Sequence, residues 1–158
     1  MKISEITASG LGTGYSPVAP GTAGSVLGII LLWIFNLGLQ KLNFEQPEIL
    51  VLNSAVIFII IFSGVWSIKK VHETWEHDAG KIVIDEIAGV WIAAFSAPLN
   101  LYYYMAALTL FRFFDITKPL YIKKFDNMKN NWSVMLDDIL AGIYSLIILR
   151  MLIYFDIF

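Results

Sequence analysis

The chain contains no cysteine and only 2 histidines. Thiol catalysis, zinc–thiolate sites, iron–sulfur clusters and a disulfide scaffold are thereby excluded. Charge is scarce too: Asp, Glu, Lys and Arg make up 15% of the 158 residues, against about 25% in soluble proteins. A net charge of −2 offers no basic surface, so no nucleic-acid partner is expected. What fills the space is apolar. Hydrophobic residues are 58% of the chain, and exchanging the 7 Tyr in that count for the 11 Gly gives roughly 61%, against about 45–50% in soluble chains. A single domain of 158 residues cannot bury that much apolar surface, because small domains keep much of their surface exposed. The excess must face lipid or a large partner.

Uncharged stretches locate the membrane segments. No charge falls between Glu5 and Lys41. The first part of that interval, Gly10 to Gly24, is a Gly/Pro/Ser/Thr loop, and Ala23 to Leu39 is a continuous apolar run. Ile49 to Trp66 is uncharged and would span about 27 Å as a helix, close to a hydrocarbon core of about 30 Å. Ile87 to Phe111 is uncharged but interrupted by Pro98-Leu99-Asn100, which predicts two helices, roughly Ile82 to Ala97 and Leu101 to Thr117, joined by a tight turn or forming a re-entrant hairpin. The last run, Ile139 to Phe155, carries one charge, Arg150. The expected fold is all-α: a single integral membrane domain over residues 1–158 with about five short transmembrane helices. Met1 to Ile6 carries Lys2 and Glu5 and does not read as a signal peptide.

Lysine placement sets the orientation. Lys69, Lys70 and Lys81 lie between the second and third runs. Lys118, Lys123, Lys124 and Lys129 lie between the fourth and fifth. The outer connections hold only Lys41. The two basic loops are therefore expected in the cytoplasm, which brings the starts of the first, third and fifth helices to that face.

The carboxylates gather on the same side: Asp78, Asp85, Glu86, Asp115, Asp126, Asp137 and Asp138. Asp85-Glu86 is expected to open the third helix, Asp115 to close the fourth, and Asp137-Asp138 to open the fifth. Acids at helix N-termini complement the macrodipole without further purpose. Three elements delivering five carboxylates to the edge of hydrocarbon point instead to a functional site. Oxygen ligands with no thiol and little imidazole suit Mg²⁺, Mn²⁺ or Ca²⁺. The loop from Gly10 to Ser25 leads into the first helix, where glycines with φ > 0 could turn backbone N–H groups inward beside a positive helix end. On its own it reads as an irregular lead-in, with Thr22 as a candidate helix cap. Arg112 and Lys118 stand at the same level and could clamp phosphate oxygens once a cation has reversed the field of the acids. The chemistry is metal-dependent phosphoryl transfer at a membrane surface. The competing class is a small cation channel or transporter with a carboxylate ion site, against which no apolar run carries a midplane acid. Tyr102, Tyr103 and Tyr104, with Trp66, Trp75, Trp91 and Trp132, read as interfacial aromatics.

Four motifs in order carry a family resemblance: Gly12-Thr13-Gly14-Tyr15-Ser16-Pro17 with Ala19-Pro20-Gly21-Thr22; Ile84-Asp85-Glu86-Ile87-Ala88-Gly89; Phe111-Arg112-Phe113-Phe114-Asp115 with Lys118-Pro119; and Met135-Leu136-Asp137-Asp138-Ile139-Leu140-Ala141-Gly142. Together they resemble the phosphatidylglycerophosphatase A family. Ala79 and Tyr121 stand where that family is expected to carry Pro. The resemblance implies a Mg²⁺-dependent lipid phosphatase that removes the terminal phosphate of phosphatidylglycerophosphate, a membrane phospholipid, to give phosphatidylglycerol. It implies a site facing the cytoplasm from a bacterial inner membrane. It further implies catalytic roles for Asp85, Glu86, Asp115, Asp137 and Asp138 and substrate binding by the loop from Gly12 to Thr22. Metal ligation would fall to Asp85, Glu86, Asp137 and Asp138, with Lys118 assisting catalysis and Arg112 binding substrate.

Overall fold

The computed structural model describes residues 2–75, 80–126, 130 and 132–157. His77, Asp78, Ala79 and Lys129 lie outside the described residues, as does the side chain of Asp126. Every regular element among the described residues is helical: α1 (Ile3–Ala8), a 3₁₀ turn (Thr13–Tyr15), α2 (Pro20–Lys41), α3 (Gln46–Val71), α4 (Ile84–Ala93), α5 (Leu101–Thr117), α6 (Ile122–Asp126) and α7 (Ser133–Tyr154). The short α1 and α6, resting on α3 and α7 respectively, were too brief to show an apolar period in the sequence.

Local chemistry explains where the long helices start and stop. Pro20 occupies the first turn of α2, where its missing N–H costs nothing. At 22 and 26 residues, α2 and α3 are long and apolar enough to cross a membrane. The break at Pro98 is present, and Asn100 caps α5 by accepting the Tyr102 N–H at 2.9 Å. The helix before it is shorter than expected. After Ala93 the chain tightens into three-residue turns, with the Phe95 N–H on the Ile92 carbonyl and the Ala97 N–H on the Ala94 carbonyl. That leaves α4 only 10 residues, about 15 Å and half a hydrocarbon core. α7 starts at Ser133 and not at Asp137, because Asn130 Oδ1 accepts the N–H groups of Trp132 and Ser133 at 2.9 and 2.8 Å. Asp137-Asp138 therefore sits in the second turn, past the reach of the helix-end dipole.

α4 is the centre of the assembly and touches α2, α3, α5 and α7. Small residues admit it. A Cβ on Gly24 would meet Val83, one on Gly28 would meet Val90 and Ile87, and one on Gly64 would meet Met135 and Ile84. Close backbone approach of this kind is how helices associate where lipid competes for every apolar face. Because α4 is enclosed on nearly all sides, Trp91 is buried in the core, and so is Tyr104 of α5. The expectation that both belong to an interfacial belt is corrected, whereas Trp66, Tyr102 and Trp132 remain exposed. The outer side of α3 shows Val51, Phe58 and Phe62, each at least 60% exposed, a surface suited to lipid.

Candidate active site

Three carboxylates from two helices converge at one end of the bundle. Asp85 and Glu86 lie in the first turn of α4 and Asp138 in the second turn of α7. One oxygen from each lies within 4.8 Å of the other two. Asp85 and Asp138 are buried. Asp85 Oδ1 accepts the Glu86 N–H at 3.1 Å, while Glu86 Oε2 and Asp138 Oδ1 are buried with no hydrogen-bond partner among the described residues. Asp115, near the end of α5, is close enough for its charge to act on all three.

Two glycines make this convergence sterically feasible. A Cβ on Gly89 would strike the Phe111 ring and lie 2.8 Å from the Asp138 carbonyl oxygen. A Cβ on Gly142 would lie 2.5 Å from the Gly89 carbonyl oxygen. The backbones of α4 and α7 thus meet one turn beyond their acids, which fixes Asp138 against Glu86. The sequence holds a signal for this that had gone unread: Asp85 and Asp138 each begin the same Asp-x-x-Ala-Gly spacing, ending in Gly89 and Gly142.

The basic residues are already engaged. Arg112 Nη1 pairs with Asp115 Oδ2, one turn along α5, and donates to Ser25 Oγ at 3.4 Å. Lys118 closes α5 in the left-handed region, φ 43°, and its Nζ lies 2.8 Å from Asp137 Oδ2. Asp137 is thereby drawn away from the set to which it was assigned. Successive helical residues point about 100° apart, so Asp137 faces Lys118 while Asp138 faces Glu86. The three-carboxylate cluster is Asp85, Glu86 and Asp138.

The glycine-rich loop divides in two. Gly10 and Gly12 do take positive φ, 52° and 96°. Yet the N–H groups of Gly10, Leu11, Gly12, Thr13, Gly14, Tyr15 and Ser16 all donate to carbonyls between Ile6 and Thr13. The hydroxyls of Thr13 and Ser16 also donate within the loop, to Gly10 and Val18 carbonyls at 2.9 Å each. The expected inward-facing donors from Gly12 to Ser16 are consumed by the loop's own turns. Gly14 instead lets the Lys81 backbone approach, and Tyr15 meets Trp75 edge-on with Lys81 Nζ 5.5 Å from its ring centroid. Gly21 reaches the acids. Gly21 is helical, and its role is clearance: a Cβ there would run into Glu86 Oε1 and come within 3.2 Å of Arg112 Nη1. Thr22 sits inside the first turn and is exposed; the residue preceding α2 is Ala19, with no side-chain cap, so the capping expectation is corrected.

Buried carboxylates this close repel one another and are stabilised by a cation between them. Their all-oxygen donor set, with two oxygens lacking any partner, fits a hard divalent ion. Beside it stand a guanidinium and the positive end of α2, groups that favour an anion.

Comparison with known proteins agrees with the geometry. The sequence profile described as phosphatidylglycerophosphatase A matches residues 6–153. A Bacteroides thetaiotaomicron protein named "Putative phosphatidylinositol-3-phosphatase" is 41% identical, covering 89% of this chain and 87% of its own. Proteins named phosphatidylglycerophosphatase A from Haemophilus influenzae and Escherichia coli are 38% and 36% identical, covering 90% and 89% of this chain and 84% and 77% of their own. No solved structure matches significantly. The match runs across all four sequence motifs and both acid-bearing helices, and the chain therefore belongs to the phosphatidylglycerophosphatase A family of membrane-associated phosphatases.

Proposed function

We propose that this chain is a multi-pass phosphatase of the bacterial inner membrane that removes the terminal phosphomonoester of phosphatidylglycerophosphate, with α2, α3, α4, α5 and α7 in the membrane and the acids facing the cytoplasm. The observation that carries the chemistry is the meeting of Asp85, Glu86 and Asp138 beside Arg112. The orientation rests on lysine placement, since Lys69, Lys70, Lys81, Lys118, Lys123 and Lys124 all flank the ends that bear the acids.

Asp85, Glu86 and Asp138 would hold Mg²⁺, and the bound ion would offset their charge and polarise phosphate oxygens. The chain's own groups do the rest. Arg112 offers a planar set of donors to the phosphate, held in place by Asp115. Gly21 leaves the space beside Glu86 open, and the first turn of α2 contributes its positive end. Lys118 keeps Asp137 neutralised at the rim and lies within the same basic cluster. The phosphomonoester dianion is drawn to this end of the molecule while its lipid body stays in the bilayer.

Phosphate release by purified protein in vesicles tests the reading, with phosphatidylglycerophosphate and phosphatidylinositol 3-phosphate compared side by side. The second lipid is included because of the name borne by the Bacteroides relative. Release from the first should stop on verified metal removal and return with Mg²⁺. Full activity in excess chelator would sink the metal assignment, and faster release from the inositol lipid would replace the substrate while keeping the chemistry.

A further inference from the structure

Ser25 lies in the second turn of α2 and is fully buried. Its hydroxyl donates its single hydrogen to the Gly21 carbonyl at 2.8 Å, one turn back along the helix. Only oxygen lone pairs are then left, so toward α5 Ser25 acts as an acceptor. The group that meets it there is a donor: Arg112 Nη1, 3.4 Å away and 87 residues distant in sequence. The same Nη1 pairs with Asp115, three residues on in α5, and that pair sets the side chain along its own helix. An acceptor on a different helix sets it across the seam, and Ser25 supplies one from α2. The space left by the missing Gly21 side chain lies at this seam, with Glu86 Oε1 on one side and Arg112 Nη1 on the other. Because the hydroxyl is neutral, it holds the guanidinium without cancelling the charge that attracts an anion.

We infer that Ser25 is a positioning residue: its hydroxyl, aimed by the Gly21 carbonyl, holds the Arg112 guanidinium beside that space so that it meets the phosphate and not the neighbouring carboxylates. The inference rests on the proposed phosphatase reading, in which Arg112 binds the phosphate. A guanidinium held by Asp115 alone is free to swing toward Glu86, whose Oε2 has no partner among the described residues. Buried opposite charges pair strongly, and an arginine paired with Glu86 is lost to the substrate. Misplacement of a catalytic group by 1 Å can cost about a hundredfold in rate. At 3.4 Å the Ser25 bond is long, which places the effect of losing it lower, near tenfold.

Two measurements on the full chain in vesicles test this. The first is kinetic, with phosphatidylglycerophosphate at saturating Mg²⁺. Ser25→Ala should lower kcat roughly tenfold with KM little changed, because the lost contact acts on the reacting group. Ser25→Cys keeps the volume but accepts hydrogen bonds weakly, so it should resemble Ala. Wild-type turnover in Ser25→Cys would make Ser25 a matter of packing and overturn the inference. In an Arg112→Lys background there is no planar fork to aim, and adding Ser25→Ala should cost less than about twofold more. A second full tenfold loss there would overturn the inference too. The second measurement needs no turnover. Arg150→Lys leaves Arg112 as the chain's single arginine, and its reaction with phenylglyoxal is followed by mass spectrometry. Adding Ser25→Ala should speed modification of Arg112 severalfold, and an unchanged rate would show that Ser25 does not hold it. The two readings stay separable: faster modification with no phosphate release from wild type would sink the phosphatase reading alone. Normal hydrolysis with an unchanged modification rate would sink the role of Ser25 alone.

Discussion

The two ends of the bundle both bury polar side chains, and they do so differently. At the acidic end, Asp85, Glu86 and Asp138 crowd within 4.8 Å, and Glu86 Oε2 and Asp138 Oδ1 lack partners. At the other end, Asn36 and Asn53 are buried beside a small cavity that also touches Gln40, Gln46, Ser96 and Tyr104. There Asn36 reaches Tyr104, while both polar atoms of Asn53 are without partners. An unsatisfied neutral amide costs about 1–3 kcal/mol and exerts no long-range field. Clustered carboxylates cost far more and attract a cation strongly, so one end reads as a tolerated defect and the other as the candidate site.

The largest expected effects are at the acids. Glu86→Gln and Asp138→Asn keep size and remove charge; each should lower turnover by more than about tenfold, at least 1.4 kcal/mol of transition-state stabilisation, without unfolding the chain. Steady-state kinetics at saturating Mg²⁺ checks this, and wild-type turnover would remove that residue from the site. Gly21→Val comes next. Its side chain would displace Glu86 and Arg112, so specific activity per folded molecule should fall by roughly tenfold while the melting temperature moves little. Loss of activity only in proportion to folded protein would return Gly21 to a structural role.

The far end should respond in the opposite sense. Asn53→Leu removes two unsatisfied polar atoms and should leave turnover unchanged, with stability unchanged or raised by up to about 1 kcal/mol. A marked fall in activity measured alongside thermal unfolding would show that the two ends communicate and would erase the contrast. The smallest effect belongs to Thr22→Ala. With no capping bond to lose, stability should change by less than about 0.5 kcal/mol in a denaturant titration. A loss near 1 kcal/mol would restore the cap that the sequence suggested.

The sequence by itself determined the helical class, the break at Pro98 and the extent of α5, and it offered the carboxylates as candidates, because hydropathy and charge act locally and leave a linear record. It read Asp85-Glu86 correctly as the opening of α4, since first-turn acids complement the dipole. It misjudged Asp137-Asp138, because the cap that starts α7 lies upstream in Asn130, a residue equally at home in a loop. Only the tertiary structure decided which acids meet. Helical phase turned Asp138 toward Glu86 and Asp137 toward Lys118, and the crossing of Gly89 with Gly142 set the depth. Likewise, only the fold consumed the donors of Gly12 to Ser16 in local turns and gave Gly21 its task as empty space beside a carboxylate. Which groups a chain carries is written residue by residue; which of them share a few ångströms depends on how helices pack, and packing is a property of pairs far apart in sequence.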